Sequence, residues 1–359
     1  MKAAVIGCGS QGSLHLDALS RQREVDIVAV CDRDEARVSA AGDRFGIRHR
    51  YQDYRALLDA NHVDLLIICT MANTHREIAL AAFDVGSNVL CEKPIAMNAN
   101  EAAEMSAAAV DAARLLVVGF NMRFTTSATA IRSFLDDGGL GTPICARGFT
   151  LESDIPWWGP HYVRELSGGG ALASTAIHML DLIYWLVGRP LPTTATASMG
   201  RVFPRKRSHG APSARARADF STEDLVFGHI RFDNGFWMSI ESSWVWDKPG
   251  KHHGFELIGD RAQAELYPLR LVREEQGQLI EITGQRSGDV DLRSAVPREI
   301  DDVVSSIRDG HPPTVAASGA EGVVTQALVD ALYSSAASGN EVAVRIPPLL
   351  SNRPPRMPA

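Results

Sequence analysis

The stretch Gly7-Cys8-Gly9-Ser10-Gln11-Gly12 decides the fold, because it matches G-x-G-x-x-G and follows the short apolar run Ala3 to Gly7. In that setting the first glycine makes a tight turn from strand to helix, the second lets the backbone approach a pyrophosphate, and the third allows close helix–strand packing. The free N–H groups of the following helix then face the phosphates. The second apolar run, Val25 to Cys31, ends at Asp32, 20 residues beyond Gly12. A carboxylate there can accept hydrogen bonds from ribose hydroxyls. It also repels a 2'-phosphate, so the local chemistry selects NAD over NADP. Arg33 stands directly after it, and its guanidinium can pair with such a phosphate or stack on adenine.

Further apolar runs follow at Val63 to Thr70, Asn88 to Cys91 and Leu115 to Gly119, alternating with helical patterns. This is the rhythm of βαβ units and predicts an N-terminal Rossmann domain with a parallel sheet over residues 1–123. Leu65-Leu66-Ile67-Ile68 is apolar at every position, which predicts a strand covered on both faces. After Phe124 the rhythm changes. A helix over Thr126 to Asp136, a strand over Ile144 to Leu151 and a helical stretch over Gly170 to Leu186 precede three strand patterns, Asp224 to Phe232, Gly235 to Trp244 and Gly254 to Ile258. Asp233-Asn234-Gly235 signals a hairpin between the first two. Residues 124–346 are thus read as an α+β domain with a largely antiparallel sheet, for substrate binding and oligomerisation. Residues 347–359 are read as a Pro-rich tail, and Arg205 to Gly210 as an exposed loop.

The chain has 359 residues, 45% of them apolar and 22% charged, as in an ordinary globular protein. Its 36 basic and 43 acidic residues leave a formal charge of -7, which argues against nucleic acid as a partner. No run is long enough to span a membrane. Cys8, Cys31, Cys69, Cys91 and Cys145 lack metal-site spacing, and the first four, at or near the ends of strand patterns, read as small apolar residues in a cytoplasmic protein. His252-His253 has no further ligand nearby, so no metal is expected.

At Glu92-Lys93-Pro94, after the strand Asn88 to Cys91, the chain resembles the glucose-fructose oxidoreductase and inositol dehydrogenase family, Gfo/Idh/MocA. The likeness extends over nearly the whole chain. It takes in His15, Asn73 with His75, Val118 to Asn121 before Arg123-Phe124, Gly168 to Leu172, His178-Met179-Leu180-Asp181 and Glu223-Asp224-Leu225. The resemblance implies hydride transfer between nicotinamide and a secondary alcohol or ketone of a sugar, cyclitol or related polyol. It implies that Lys93 and His178 face the reacting carbon and that Glu92 and Pro94 shape the cofactor side of their loop. Thr70, Asn73, His75 and Asn121 join Gly7, Gly9, Ser10, Gln11, Gly12, Asp32, Arg33, Glu92 and Lys93 as cofactor-binding candidates. A base and an oxygen-stabilising donor are what alcohol oxidation needs, and histidine and lysine supply them. Asp181 either orients His178 or belongs to a local polar network.

One position departs from the family. The aspartate commonly found four residues before the histidine is Ser174 here, and Ala176 replaces a common glycine. Serine supplies no fixed charge, so the proton relay is altered. As a helix, the segment would set Ser174, His178 and Asp181 at i, i+4 and i+7 on one face. Trp157 and Trp158 offer flat apolar faces for sugar C–H surfaces, with His161 and Tyr162 as polar candidates beside them. Trp237, Trp244 and Trp246 are expected in core or interface. A homodimer or homotetramer is expected through an open sheet face bearing Phe227 and Trp237. Two alternatives stay open: NAD retained for redox-assisted elimination or glycoside cleavage, and a dinucleotide-binding sensor without catalysis.

Overall fold

A computed structural model describes residues 1–203, 213–247, 250–283 and 292–348. The loop Arg205 to Gly210 and the tail beyond Pro348 lie outside the described residues. The chain divides into two compact units, the first containing Met1–Phe124 and Leu292–Gln326, the second Thr125–Asp291 and Ala327–Arg345.

The first unit opens with β1 (Lys2–Ile6), α1 (Ser10–Leu19), β2 (Asp26–Cys31), α2 (Glu35–Phe45), β3 (His49–Tyr51), α3 (Tyr54–Ala60), β4 (Leu65–Ile68), α4 (Ala72–Asp84), β5 (Asn88–Cys91), α5 (Ala99–Asp111) and β6 (Leu116–Val118). Its strands β1 to β6 are parallel in the order β6-β5-β4-β1-β2-β3. Every residue of β4 is fully buried, as expected of a strand with helices on both faces. β1 is the switch point, with β2 on one side and β4 on the other, so the loop after Ile6 opens at the crevice where α/β sheets bind ligands.

The second unit contains α6 (Thr126–Asp136), β7 (Pro143–Glu152), α7 (Arg164–Ser167), α8 (Ile177–Leu186), β8 (Pro192–Gly200), α9 (Ala214–Asp219), β9 (Leu225–Phe232), β10 (Trp237–Ser243), β11 (Lys251–Gly259), β12 (Ala262–Glu265), β13 (Arg270–Glu275) and β14 (Gln278–Glu281). With the late strand described below, these strands form one sheet in which β7 and β10 run parallel and the remaining pairs are antiparallel. The hairpin at Asp233-Asn234-Gly235 joins β9 to β10, with Gly235 at φ 85°. One face packs on helices, since a Cβ on Gly148 would stand 2.9 Å from Ile183. The other carries Phe227 and Trp237, 42% and 38% exposed.

The last elements are α10 (Leu292–Asp309), β15 (Ala317–Ser318), α11 (Gly319–Ser338) and β16 (Val342–Ala343). Here the structure departs from a simple split near residue 124. The change of rhythm after Phe124 assigns 124–346 to the second domain, but α10 packs on α1, and β15 pairs antiparallel with β6 as a seventh strand of the first sheet. The cause is the apolar face of α10. Ala295, Val296, Ile300, Val303 and Val304 sit in one buried cluster with Leu16, Leu19, Leu65 and Ile67, and each such Val or Ile contributes about 1.5–3 kcal/mol. Arg123, fully buried, adds polar ties to Glu321 at 3.0 Å and to the Val315 carbonyl at 3.2 Å. β16 joins the second sheet beside β8.

Candidate active site

The dinucleotide cradle is built from the loop between β1 and α1. Gly7 takes φ 93°, and a Cβ on Gly12 would fall 1.8 Å from the Gly7 carbonyl oxygen, so neither position admits a side chain. Gly9 differs. Its Cβ would meet only Arg37 Nη1, at 3.8 Å, so the space over Gly9 is open to a ligand. α1 begins without a side-chain cap, which leaves its first N–H groups for an anion. Ser10 is exposed and Gln11 half-buried at this end.

Asp32 is fixed by the cradle itself. Its Oδ2 accepts the Cys8 N–H at 2.7 Å and its Oδ1 accepts the Asp34 N–H at 2.9 Å. Arg33 points into solvent. The sequence reading did not single out Arg37, one turn into α2, although Asp34 caps that helix by accepting from the Ala36 and Arg37 N–H groups. The i, i+3 spacing of Asp34 and Arg37 was the available signal, and their side chains approach to 3.4 Å.

The loops after β4, β5 and β6 form the other half of the crevice. His75 is buried, with its ring nitrogens 2.9 Å from the Pro94 carbonyl and 3.0 Å from that of Thr70. Burial holds its pKa below the ordinary histidine value, and the neutral ring has one N–H to donate to one or other of these two carbonyls. Asn73 is exposed on the first turn of α4, whereas Thr70 is half-buried and bonds Thr74. Glu92 is also sealed inside, against His15, and does not line the loop surface. Lys93, half-buried, precedes a cis Lys93-Pro94 bond. Asn121 is buried, and its Oδ1 has no hydrogen-bond partner among the described residues. An open Gly9, an uncapped helix and this orphan acceptor all fit a dinucleotide. Bound there, it would be held by the α1 N–H groups, Asp32 and Asn121, and would supply the hydride acceptor.

In the second unit the helical stretch is not uniform. Ala171–Ala176 form a π-helical turn that runs into α8, so the expected α-helical face is corrected. The π spacing places Ser174 Oγ 3.4 Å from the carbonyl of Gly169, five residues earlier, and widens the turn between Ser174 and His178. From Ala171 to Leu186 only Ser174, Thr175 and His178 escape burial. Asp181 is 1% exposed and lies off that strip.

The π turn is pinned from several sides. Glu223 accepts the N–H groups of Gly170 and Leu172 at 2.9 and 3.0 Å and the Tyr333 hydroxyl at 2.8 Å. Burial raises the Glu223 pKa despite these donors. Ser242 Oγ donates to the Ala171 carbonyl at 2.9 Å, and the Trp244 indole donates to Thr175 Oγ1 at 2.9 Å. Thr175 and Trp244 as partners were not legible, because the π turn sets their register.

The two adjacent tryptophans separate. Trp157 packs with Tyr162 and Phe203, ring centroids 4.9 and 5.3 Å apart, against the cluster holding Trp244 and Ala171. It is a support under the helix start. Trp158 is 68% exposed and leans on His161 at 4.3 Å, so this pair remains available to a ligand. Glu152 at the end of β7 is buried beside His253 at 2.8 Å and Lys251 at 3.0 Å. Burial works against its charge, but these two neighbours outweigh it and hold the carboxyl below its usual range.

Among the described residues no group of three His, Cys, Asp or Glu is placed to hold a metal, and no helix is long and apolar enough to cross a membrane.

Comparison with known proteins places both units. Residues 1–120 match the model of an oxidoreductase family with an NAD-binding Rossmann fold, GFO/IDH/MocA, and residues 128–265 match the C-terminal domain model of the same family. D-glucoside 3-dehydrogenase of Escherichia coli strain K12 is 29% identical over 95% of this chain and 97% of its own. Inositol 2-dehydrogenase 2 of Saccharopolyspora erythraea is 27% identical over 97% and 96%. The crystal structure of GenD2 from gentamicin A biosynthesis, in complex with NAD, is 25% identical over 96% of each chain, with a TM-score of 0.80.

Proposed function

We propose that this chain, which belongs to the GFO/IDH/MocA family of NAD-binding oxidoreductases, is a dehydrogenase for a ring secondary hydroxyl of a sugar or glycoside. The carrying observation is the strip of Ser174, Thr175 and His178 on an otherwise buried helix, on a chain that also bears the cradle and the Lys93 loop. A carbinol loses hydride only as its proton departs. His178 takes that proton, and the Lys93 ammonium stabilises the negative charge developing on oxygen. Ser174 contributes a hydroxyl where the family commonly has a carboxylate, and Thr175 a second hydroxyl beside it, so they orient substrate without a fixed charge. Trp158 and His161 receive the apolar and polar sides of the sugar.

A glycoside is favoured because a relative 29% identical over 97% of its own length is a D-glucoside 3-dehydrogenase. Phe227 and Trp237, exposed on the face of the second sheet opposite Gly148, support a homodimer or homotetramer built through it. The five free thiols suit a reducing cytoplasm.

The test is a panel of sugars, inositols and glycosides assayed for NADH absorbance, with mass spectrometry for retained dinucleotide. NADH formed with a glycoside and lost in His178→Ala supports the reading. Cleaved glycoside without NADH accumulation would instead indicate retained NAD and elimination.

A further inference from the structure

Glu92 is a carboxylate enclosed in the first unit. It is 5% exposed at the end of β5, with Oε1 2.9 Å from His15 Nε2 and Oε2 accepting the Lys93 N–H at 3.2 Å. Gly119 backs it so closely that a Cβ there would stand 3.3 Å from the carboxylate carbon. Burial favours the protonated form, but the His15 hydrogen bond, with the Lys93 ammonium and N–H, outweighs it and holds the carboxyl below its ordinary range. The neighbouring thiols of Cys69 and Cys91 are pushed well up by burial and stay neutral. Glu92 is therefore a fixed anion away from water.

Its position gives that charge a use. In a doubly wound sheet the strands before the switch point bind the adenosine half of a dinucleotide, and those beyond it receive the nicotinamide half. β5 belongs to the second group. The oxidised nicotinamide ring carries a positive charge and the reduced ring none. We infer that Glu92 sets the redox bias of the bound cofactor, its buried anion strengthening NAD+ binding relative to NADH. This inference concerns cofactor binding alone and stands whatever the substrate proves to be.

A unit charge acting over about 10 Å at an effective dielectric near 20 shifts a binding ratio about tenfold. Glu92→Gln keeps the shape of the side chain and one acceptor oxygen, for the Lys93 N–H, and turns its amide NH2 toward His15 Nε2, while removing the charge. The full-length chain and its variants are titrated with NADH by fluorescence and with NAD+ by calorimetry. In Glu92→Gln the ratio Kd(NADH)/Kd(NAD+) should fall about tenfold, equivalent to a rise of about 30 mV in the potential of the bound couple. Glu92→Asp keeps the charge and should keep the ratio within about threefold. Partial unfolding scales both constants alike, so the ratio reads charge and not folding. Lys93→Met removes a positive charge from the same loop and should raise the ratio, which decides the matter if Glu92→Gln does not fold. An unchanged ratio in Glu92→Gln, an equal shift in Glu92→Asp, or a ratio that does not rise in Lys93→Met would overturn the assignment.

Discussion

Alanine at Gly9 and at Gly12 should produce opposite defects, although the two positions lie three residues apart in one motif. At Gly12 the added methyl would be 1.8 Å from the Gly7 carbonyl oxygen and 3.0 Å from its carbon, both rigid backbone. α1 must then shift on β1 by more than 1 Å, against a core that includes Leu16 and Leu19. Overpacking of this kind costs about 3 kcal/mol. For a unit of this size that lowers Tm by about 6–12 °C. At Gly9 the same methyl meets only Arg37 Nη1 at 3.8 Å, and φ of -74° suits any residue. Stability should stay within about 0.5 kcal/mol of the parent. The methyl instead occupies the space where the pyrophosphate approaches, so NAD affinity should fall about 10- to 100-fold, a loss of about 1.4–2.8 kcal/mol. Differential scanning calorimetry without dinucleotide and calorimetric titration with NAD separate the two effects. Gly9→Ala that binds NAD like the parent, or that melts as low as Gly12→Ala, would refute this assignment of the cradle.

Further outcomes follow from the same structure. Asp32→Ala should narrow or invert the preference for NAD over NADP, read by comparing the two dissociation constants; a parent chain that binds NADP more tightly would shift the role to Arg33 or Arg37. On an active substrate, His178→Ala should lower kcat by about 10²- to 10⁴-fold with NAD affinity unchanged, and full activity would end its assignment as base. Glu152, whose pKa is held down in the folded state, contributes stability that is complete above the ordinary carboxylate value and lost as pH falls through the depressed one. Urea melts of Glu152→Gln should therefore show a deficit at pH 7 that closes below about pH 4; a deficit independent of pH would show that charge is not its cause.

Much of the first unit was legible because its signals are local. Gly7 to Gly12 need only the glycine turn, and Asp32 follows from the length of one βα unit. Asp233-Asn234-Gly235, between two strand patterns, likewise marks the hairpin. What escaped the reading depends on partners distant in sequence. The apolar spacing of Ala295, Val296, Ile300, Val303 and Val304 says that α10 is buried, but not that Leu16 and Ile67 bury it. Adjacent tryptophans look alike in a sequence, yet Phe203 and Tyr162 claim Trp157 while Trp158 stays in solvent. Glu92 and His75 sit in motifs associated with ligands, and their burial depends on His15, Pro94 and Thr70 closing over them. The π turn is the clearest case. A 3.6-residue period assigns Ser174 and His178 to one face, and only the anchoring of Gly170, Ala171 and Leu172 by Glu223 and Ser242 shows that the turn is wider.

The central claim is hydride transfer from a ring carbon to nicotinamide, and isotope transfer tests it most directly. Purified protein incubated with NAD and ring-deuterated methyl β-D-glucopyranoside should yield nicotinamide carrying one deuterium at C4, seen by mass spectrometry whether the dinucleotide is released or retained. His178→Ala should suppress that label at equal NAD occupancy. No deuterium on nicotinamide from this glycoside or from any other deuterated sugar or inositol tested, with NAD demonstrably bound, would contradict the account.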